Sequence, residues 1–234
     1  MTNPTKSALS KAVVAFARRI LSRPARKSRK LTATVIRSLA KKFANTSDVG
    51  WHMIYVTVLV GFLGFLRWDD ITHVPLELTR FYDSHMALFI VKSKTDQKAA
   101  GHWVLIARTG GDTCAVTQCE KLIANSGICV GPIPRIVQRT KKGATLTERP
   151  LKYNRFLELM REMLTRCGYS SRKARKFGTR SMRTGGASAA AEFGVPDRLF
   201  QKHGRWVTER IKDRYVQETL SQLLSVSRTI SAEL

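Results

Sequence analysis

The sequence predicts a mainly helical α+β domain with one small antiparallel sheet inserted early. Three observations predict it. Apolar residues recur at helical spacing through most of the 234 residues. One fourteen-residue stretch, Met53 to Leu66, is apolar almost throughout. From Met86 the pattern shifts to two short apolar runs joined by a polar loop.

The elements follow in order. Residues 5 to 22 form a short basic helix with Val13, Val14, Phe16, Ala17, Ile20 and Leu21 on one side. Pro24 and the run Arg23, Arg26, Lys27, Arg29, Lys30 read as a linker. Thr32 is placed to cap a helix whose apolar positions are Val35, Leu39 and Phe43. Asn45, Thr46, Ser47 and Asp48 end it before the apolar helix of Trp51 to Leu66. That helix reads as a core helix, because its apolar stretch falls short of the roughly 20 residues a bilayer requires.

MALFIV (86–91) and HWVLIA (102–107), joined by KSKTDQKAAG, make a β-hairpin with a long basic loop. A helix over 115–124 follows, then a Gly/Pro/Lys-rich loop from Gly127 to Gly143. Tyr153 to Cys167 is helical by periodicity, Gly168 to Gly178 a basic loop, and Ser181 to Phe193 an alanine-rich helix. Gly194, Val195 and Pro196 turn the chain into helices over Asp197 to Lys202 and about Val207 to Leu224. Two regions result: 1–30, a basic helix and linker, and 31–234, the principal domain.

Composition narrows the function. With 43% hydrophobic and 25% charged residues the chain is globular, yet 41 Lys and Arg against 17 Asp and Glu leave a formal charge of +24. Solubility needs far less, so the partner is polyanionic. Residues 1 to 47 hold twelve Lys or Arg and no acidic residue, the pattern of a segment that contacts phosphates without reading bases. Arg26, Lys27, Arg29 and Lys30 are its densest part and candidate DNA contacts, as is Arg205. A basic membrane-surface protein fits less well, since these segments lack a strongly amphipathic aromatic and leucine face. Cys114, Cys119, Cys129 and Cys167 are irregularly spaced, which suits neither a zinc site nor a disulfide scaffold. The first residues lack the pattern of a secretory leader, so the chain is expected inside the cell.

Four local patterns carry chemistry only in combination. GFLRWDD places Arg67 after an apolar helix, with Asp70 three positions on; the plain reading is an end-of-helix arginine paired with that carboxylate. KSKTDQ puts Lys94 in the hairpin loop, where most lysines are merely solvated. TRSMRTGGASAAAEFGV sets Arg180 and Arg183 at a helix start beside Thr184, Gly185 and Gly186, small residues that admit DNA or another backbone. An arginine near exposed backbone N–H groups suits a phosphate; the alternative is a tightly packed small-residue helix. KHGRWVTERIKDRYV contains His203 and sets Trp206 nine residues before Tyr215. A helical tyrosine is ordinarily a packing residue, but this one closes a series of cations.

Together these stretches resemble the tyrosine recombinases, or phage-integrase family, over roughly residues 31 to 230. The family order is an arginine after an apolar helix with a carboxylate three residues on, a hairpin lysine, a His-x-x-Arg box, a His or Trp, and a tyrosine nine residues later. Arg67, Asp70, Lys94, Arg183, Trp206 and Tyr215 match in that order. GFLRWDD, SMRTGGASAAAEFGVPDRLFQKHGRW and LSVSR look most like recombinases of DIRS-type and related eukaryotic mobile elements.

The resemblance implies the DNA breaking-rejoining fold and a specific chemistry. Tyr215 would attack a DNA phosphate to give a 3′-phosphotyrosyl link and a free 5′-hydroxyl, and a 5′-hydroxyl of a partner duplex would reverse the step, with neither metal nor ATP. Arg67, Arg183 and Arg180 would hold the phosphate, Lys94 would protonate the leaving oxygen, and Trp206 would pack against the site, with Asp70 and His203 in support. Double-stranded DNA is the implied partner, a tetramer on two DNA sites the implied assembly, and the nucleus the implied location in a eukaryote. Residues 1–22 resemble only the tail of a core-binding domain. Two departures stand out. Asp70 occupies the usual glutamate position, and Arg180 replaces the histidine of the box, where an arginine can bind phosphate but is a poor base. A catalytically impaired, domesticated DNA-binding relative and a type IB topoisomerase or telomere resolvase are the alternatives.

Overall fold

The computed structural model describes residues 7–21, 28–91, 101–141, 143–213, 215–216, 223–224, 227–228 and 230–231. Lys94, Arg26 and Lys27 lie outside these residues. Helices α1 (Ala8–Leu21), α2 (Ala33–Phe43) and α3 (Val49–Leu63) lead into a short α4 (Trp68–Thr72) and the strands β1 (Thr79–Phe81), β2 (His85–Ile90) and β3 (His102–Ala107). Then come α5 (Ala115–Ser126), β4 (Arg135–Thr140), β5 (Gly143–Pro150), α6 (Tyr153–Arg166), α7 (Ser171–Ala174), α8 (Arg180–Glu192), α9 (Asp197–His203) and α10 (Glu209–Asp213). The architecture is the mainly helical one the sequence predicts, with two small antiparallel sheets instead of one.

The helix starts follow local chemistry. The Thr32 hydroxyl accepts from the Val35 amide at 3.3 Å and the Asp48 carboxylate from the Trp51 amide at 3.0 Å, each satisfying an otherwise orphaned N–H of a first turn. Helix α3 is buried on all sides, which is why its sequence shows no polar stripe. It packs against α2, α5, α6, α8 and β5 and forms the axis of the main core. None of the helices among the described residues is long and apolar enough to cross a membrane.

In the three-stranded sheet, order β1-β2-β3, Met86, Leu88, Ile90, Val104 and Ile106 face the core, while Trp103 and Leu105 alternate to the outside. The second sheet, β4–β5, lies partly within the stretch 127–143 that the sequence reads as loop. Its strands are partly buried, with exposed residues toward the turn of β4 and the end of β5, and Gly143 makes the turn at φ 133. One α7 turn, capped by Ser170, interrupts the basic loop 168–178. Near the C-terminal end the expected helix 207–224 is not continuous. After α10 the Tyr215 amide bonds the Lys212 carbonyl at 2.8 Å, a tight turn that takes Tyr215 off the helix.

The contact between α3 and α8 positions everything that follows. A β-carbon on Gly185 would stand 2.1 Å from the Leu31 carbonyl oxygen, and one on Gly186 would stand 2.1 Å from that of Phe62. Only hydrogen fits there. The small residues thus admit another backbone, the second of the two readings the sequence allows.

Candidate active site

The site begins where α3 stops. Gly64 closes the helix, and Phe65 takes a left-handed conformation at φ 48, uncommon for a bulky residue. The Phe65 carbonyl then faces the adjoining α8. Two residues on, Arg67 is the N-cap of α4 and its backbone N–H donates to the Asp70 carboxylate at 3.0 Å. Arg67 therefore lies in the connector beyond the apolar helix, held by backbone, with its guanidinium partly exposed.

Arg183, on α8, is buried. Its two terminal nitrogens donate to the carbonyls of Phe65 and Gly204, so one side chain ties the end of α3 to the end of α9. Its planar face lies 4.6 Å from the Trp206 ring centre and 5.0 Å from that of Tyr215, within cation–π range. Burial, followed by repulsion from Arg67 and then Arg205, pushes its pKa down to about 9, while Tyr215 and Asp70 act the other way. It stays charged at neutral pH.

Asp70 is fully buried and takes a partner that the sequence does not suggest. Its Oδ2 accepts from Arg205 at 3.0 Å, whereas the Arg67 guanidinium stands 3.9 Å away. Arg205 also donates to the carbonyls of Gly64, Phe65 and His203 at 3.3–3.4 Å. Arg205 is expected from sequence to contact DNA, but the structure turns it inward: its side chain is 9% exposed and its guanidinium is engaged with Asp70. Burial lowers its pKa and Asp70 counters that fall. His203 donates from Nε2 to the Leu63 carbonyl at 2.7 Å and stacks edge-on against Phe65. Burial lowers its pKa, so the ring is neutral at neutral pH.

A second, smaller apolar cluster of Phe65, Ala187, Phe200 and Trp206 lies beneath these charges, with Tyr215 and Val216 against its edge. Trp206 stands 5.4 Å from Tyr215 between ring centres. It fits there because Gly204 has no side chain; a β-carbon would fall 2.0 Å from the indole ring. The indole N–H is buried and has no hydrogen-bond partner among the described residues. Lys212 bonds Asp197 at the start of α9 and sits 4.9 Å over the Phe200 ring, which anchors α10 just before Tyr215.

These elements converge on an open cleft of about 440 Å³. Arg67, Arg180, Arg183 and Tyr215 line it, with Trp68, Asp69, Tyr153 and Thr179 completing the wall. Arg180, the first residue of α8, is exposed. The sequence order of Arg67, Arg183, Trp206 and Tyr215 is thus gathered in one place, although the positions span 149 residues of chain from 67 to 215. Arg29 lies apart from them, exposed, its amide bonded to the Lys176 carbonyl at 2.9 Å, and Lys30 is half-buried beside it. Sequence reasoning missed Tyr153 and Thr179 as cleft walls, Lys212 as the anchor, and Arg205 as the partner of Asp70. For Lys212 the signal was its place three residues before Tyr215; the others have none. Chemically the cleft sets the hydroxyl-bearing Tyr215, Tyr153 and Thr179 beside three arginines, a setting for an oxyanion such as a phosphate.

No protein-family model matches the sequence. The chain is 24% identical over 162 residues to an integrase/recombinase XerD homolog of Selenomonas ruminantium, a match covering 69% of this chain and 46% of that protein. It thus spans about half the length of that curated relative. Among solved structures it is similar to the XerA recombinase, with a TM-score of 0.61 and 14% identity over 95% of this chain and 76% of that one. It is also similar to the XerH site-specific recombinase bound to a palindromic difH substrate, with a TM-score of 0.60 and 9% identity over 86% of this chain and 52% of that one. A lambda integrase dimer bound to a core site gives a TM-score of 0.57 and 14% identity over 90% and 56%. The chain is therefore similar in sequence to a recombinase and has the catalytic-domain fold of the tyrosine recombinases.

Proposed function

We propose that the chain is the catalytic part of a site-specific recombinase that cuts and rejoins double-stranded DNA through a 3′-phosphotyrosyl intermediate, with neither metal nor ATP. One observation carries the reading: Tyr215 lines the same cleft as Arg67, Arg180 and Arg183. The similar DNA-bound recombinases support it by fold.

In this reading the Tyr215 oxygen attacks the scissile phosphorus, a bond to phosphorus forms, and the bond to the 5′-oxygen breaks. Negative charge grows on the non-bridging oxygens in between. Arg67 and Arg183 stabilise it best because guanidinium groups stay charged and present two donors in a plane. Trp206 packs against Arg183 and Tyr215 and holds both toward that phosphate. Lys94 protonates the leaving 5′-oxygen, a role that rests on its hairpin position in the sequence. Arg180 takes the phosphate-binding half of the family histidine's work and leaves the tyrosine proton to water in the open cleft. A 5′-hydroxyl of a second duplex reverses the step, so the bond energy is conserved.

Finer features rest on the sequence. The stretches GFLRWDD and SMRTGGASAAAEFGVPDRLFQKHGRW favour a recombinase of DIRS-type or a related eukaryotic mobile element, acting in the nucleus as a tetramer on two DNA sites. Residues 1–30 serve as the tail of a core-binding domain and 31–234 as the catalytic domain. Basic side chains at Arg29, Lys30 and the Arg172–Lys176 turn suit backbone phosphates.

The test is covalent capture. The chain is incubated with a labelled pool of nicked suicide duplexes of random core sequence and the adduct is resolved under denaturing conditions. Tyr215→Phe should abolish the adduct while salt-dependent DNA binding persists. Equal adduct from the variant would refute the assignment. Arg180→His run alongside should raise the yield, since it restores a base.

A further inference from the structure

Among the described residues, Asp70 is the one carboxylate within salt-bridge distance of Arg67 or Arg205, and it is shared unevenly. Arg205 reaches its Oδ2 at 3.0 Å with a side chain 9% exposed; Arg67 stands 3.9 Å away with a side chain 22% exposed. The same Oδ2 already accepts the Arg67 backbone N–H. Arg205 holds this pose from φ 56, a left-handed conformation that a β-carbon disfavours and glycine adopts freely. Three backbone carbonyls, of Gly64, Phe65 and His203, also accept from its two terminal nitrogens. An arginine kept in a glycine-like conformation, buried and aimed at one carboxylate, is poised to occupy that carboxylate.

We propose that Arg205 is a positioning residue for Arg67. By neutralising Asp70 it keeps the carboxylate from drawing the Arg67 guanidinium onto itself, so that guanidinium stays open to the cleft and free to bind an oxyanion. Without Arg205, Asp70 would be a buried anion within 4 Å of one remaining cation, and Coulomb attraction in that low-dielectric setting would close the gap. The catalytic consequence rests on the phosphate reading of the cleft. The arrangement itself does not.

Arg67 accessibility is therefore read without DNA, by the rate of phenylglyoxal modification followed by peptide mass spectrometry, with the exposed Arg180 as internal reference. Arg205→Gly, which also relieves the backbone conformation, should slow modification of Arg67 by about fivefold or more, an interaction of ordinary size for contacting residues. Asp70→Asn/Arg205→Gly, which leaves no buried charge unpaired, should return Arg67 to the parental rate. If Arg205→Gly does not fold, Arg205→Lys replaces it: one ammonium holds Asp70 less fully than the guanidinium fork, and Arg67 should slow by about twofold. Equal Arg67 rates in parent and single variant, or no recovery in the double variant, would overturn the proposal.

On the nicked duplexes, Arg205→Gly should form adduct about tenfold more slowly at saturating DNA, with affinity held. Slower labelling with unchanged adduct would remove the phosphate role of Arg67 and leave the positioning intact. No adduct from the parent chain would sink the recombinase reading, and the labelling would still decide the role of Arg205.

Discussion

Gly186→Ala tests the contact on which the whole site hangs. The added β-carbon would lie 2.1 Å from the Phe62 carbonyl oxygen and 2.6 Å from the Phe65 ring. Ordinary contact begins at 3.4 Å, so α8 and the end of α3 must part by about 1.3 Å. A carbonyl in a helix has no rotamer by which to yield. Overpacking of this kind costs about 1–3 kcal/mol, and a backbone obstacle belongs at the upper end. For a chain of this length about 3 kcal/mol lowers Tm by roughly 6–12 °C. The displacement matters beyond stability, because Arg183 lies one turn before Gly186 on the same helix and donates to the Phe65 carbonyl. A shift of about 1 Å at a reacting centre costs around a hundredfold in rate. Thermal unfolding, adduct formation at a temperature where the variant is folded, and DNA affinity at fixed salt together check this. The expected pattern is a lowered Tm, a lost adduct rate and an unchanged affinity. An unchanged Tm with weakened DNA binding would mean the glycines face DNA and would refute the packing argument.

Other outcomes follow from the same geometry. Asp70→Ala leaves Arg205 buried without its anion and should destabilise the chain by about 3–5 kcal/mol in urea unfolding. His203 has a folded-state pKa below its ordinary 6.5, first because of burial. The unfolded chain therefore binds the extra proton more readily. The stability His203 contributes is present above about pH 6.5 and is lost as pH falls toward its folded pKa. His203→Gln should accordingly flatten the fall in Tm between about pH 7 and pH 5, and an unaltered slope would assign that fall to other groups, such as the similarly buried His52.

The sequence by itself determined the longer helices as far as α9 and the order of the chemical residues. Val35, Leu39 and Phe43 recur at a helical period, and Thr32 announces their helix start by a bond three residues long, so local spacing is enough to read them. Arg67, Arg183, Trp206 and Tyr215 were legible as a set because their spacing is a pattern along the chain. The β4–β5 hairpin was not, since its half-buried strands carry little alternation and their stability comes from lying on α3. The pairing of charges was not legible either. Asp70 lies three residues from Arg67, and spacing alone pairs the two; the fold brings in Arg205 from 135 residues away. Gly185 and Gly186 likewise allow either DNA or backbone to approach, and only the crossing of α8 on α3 chooses backbone. The physical reason is common to these cases. Hydrogen bonds within a turn are set by neighbours in sequence, whereas the partner of a buried charge and the occupant of a close approach are set by what burial excludes.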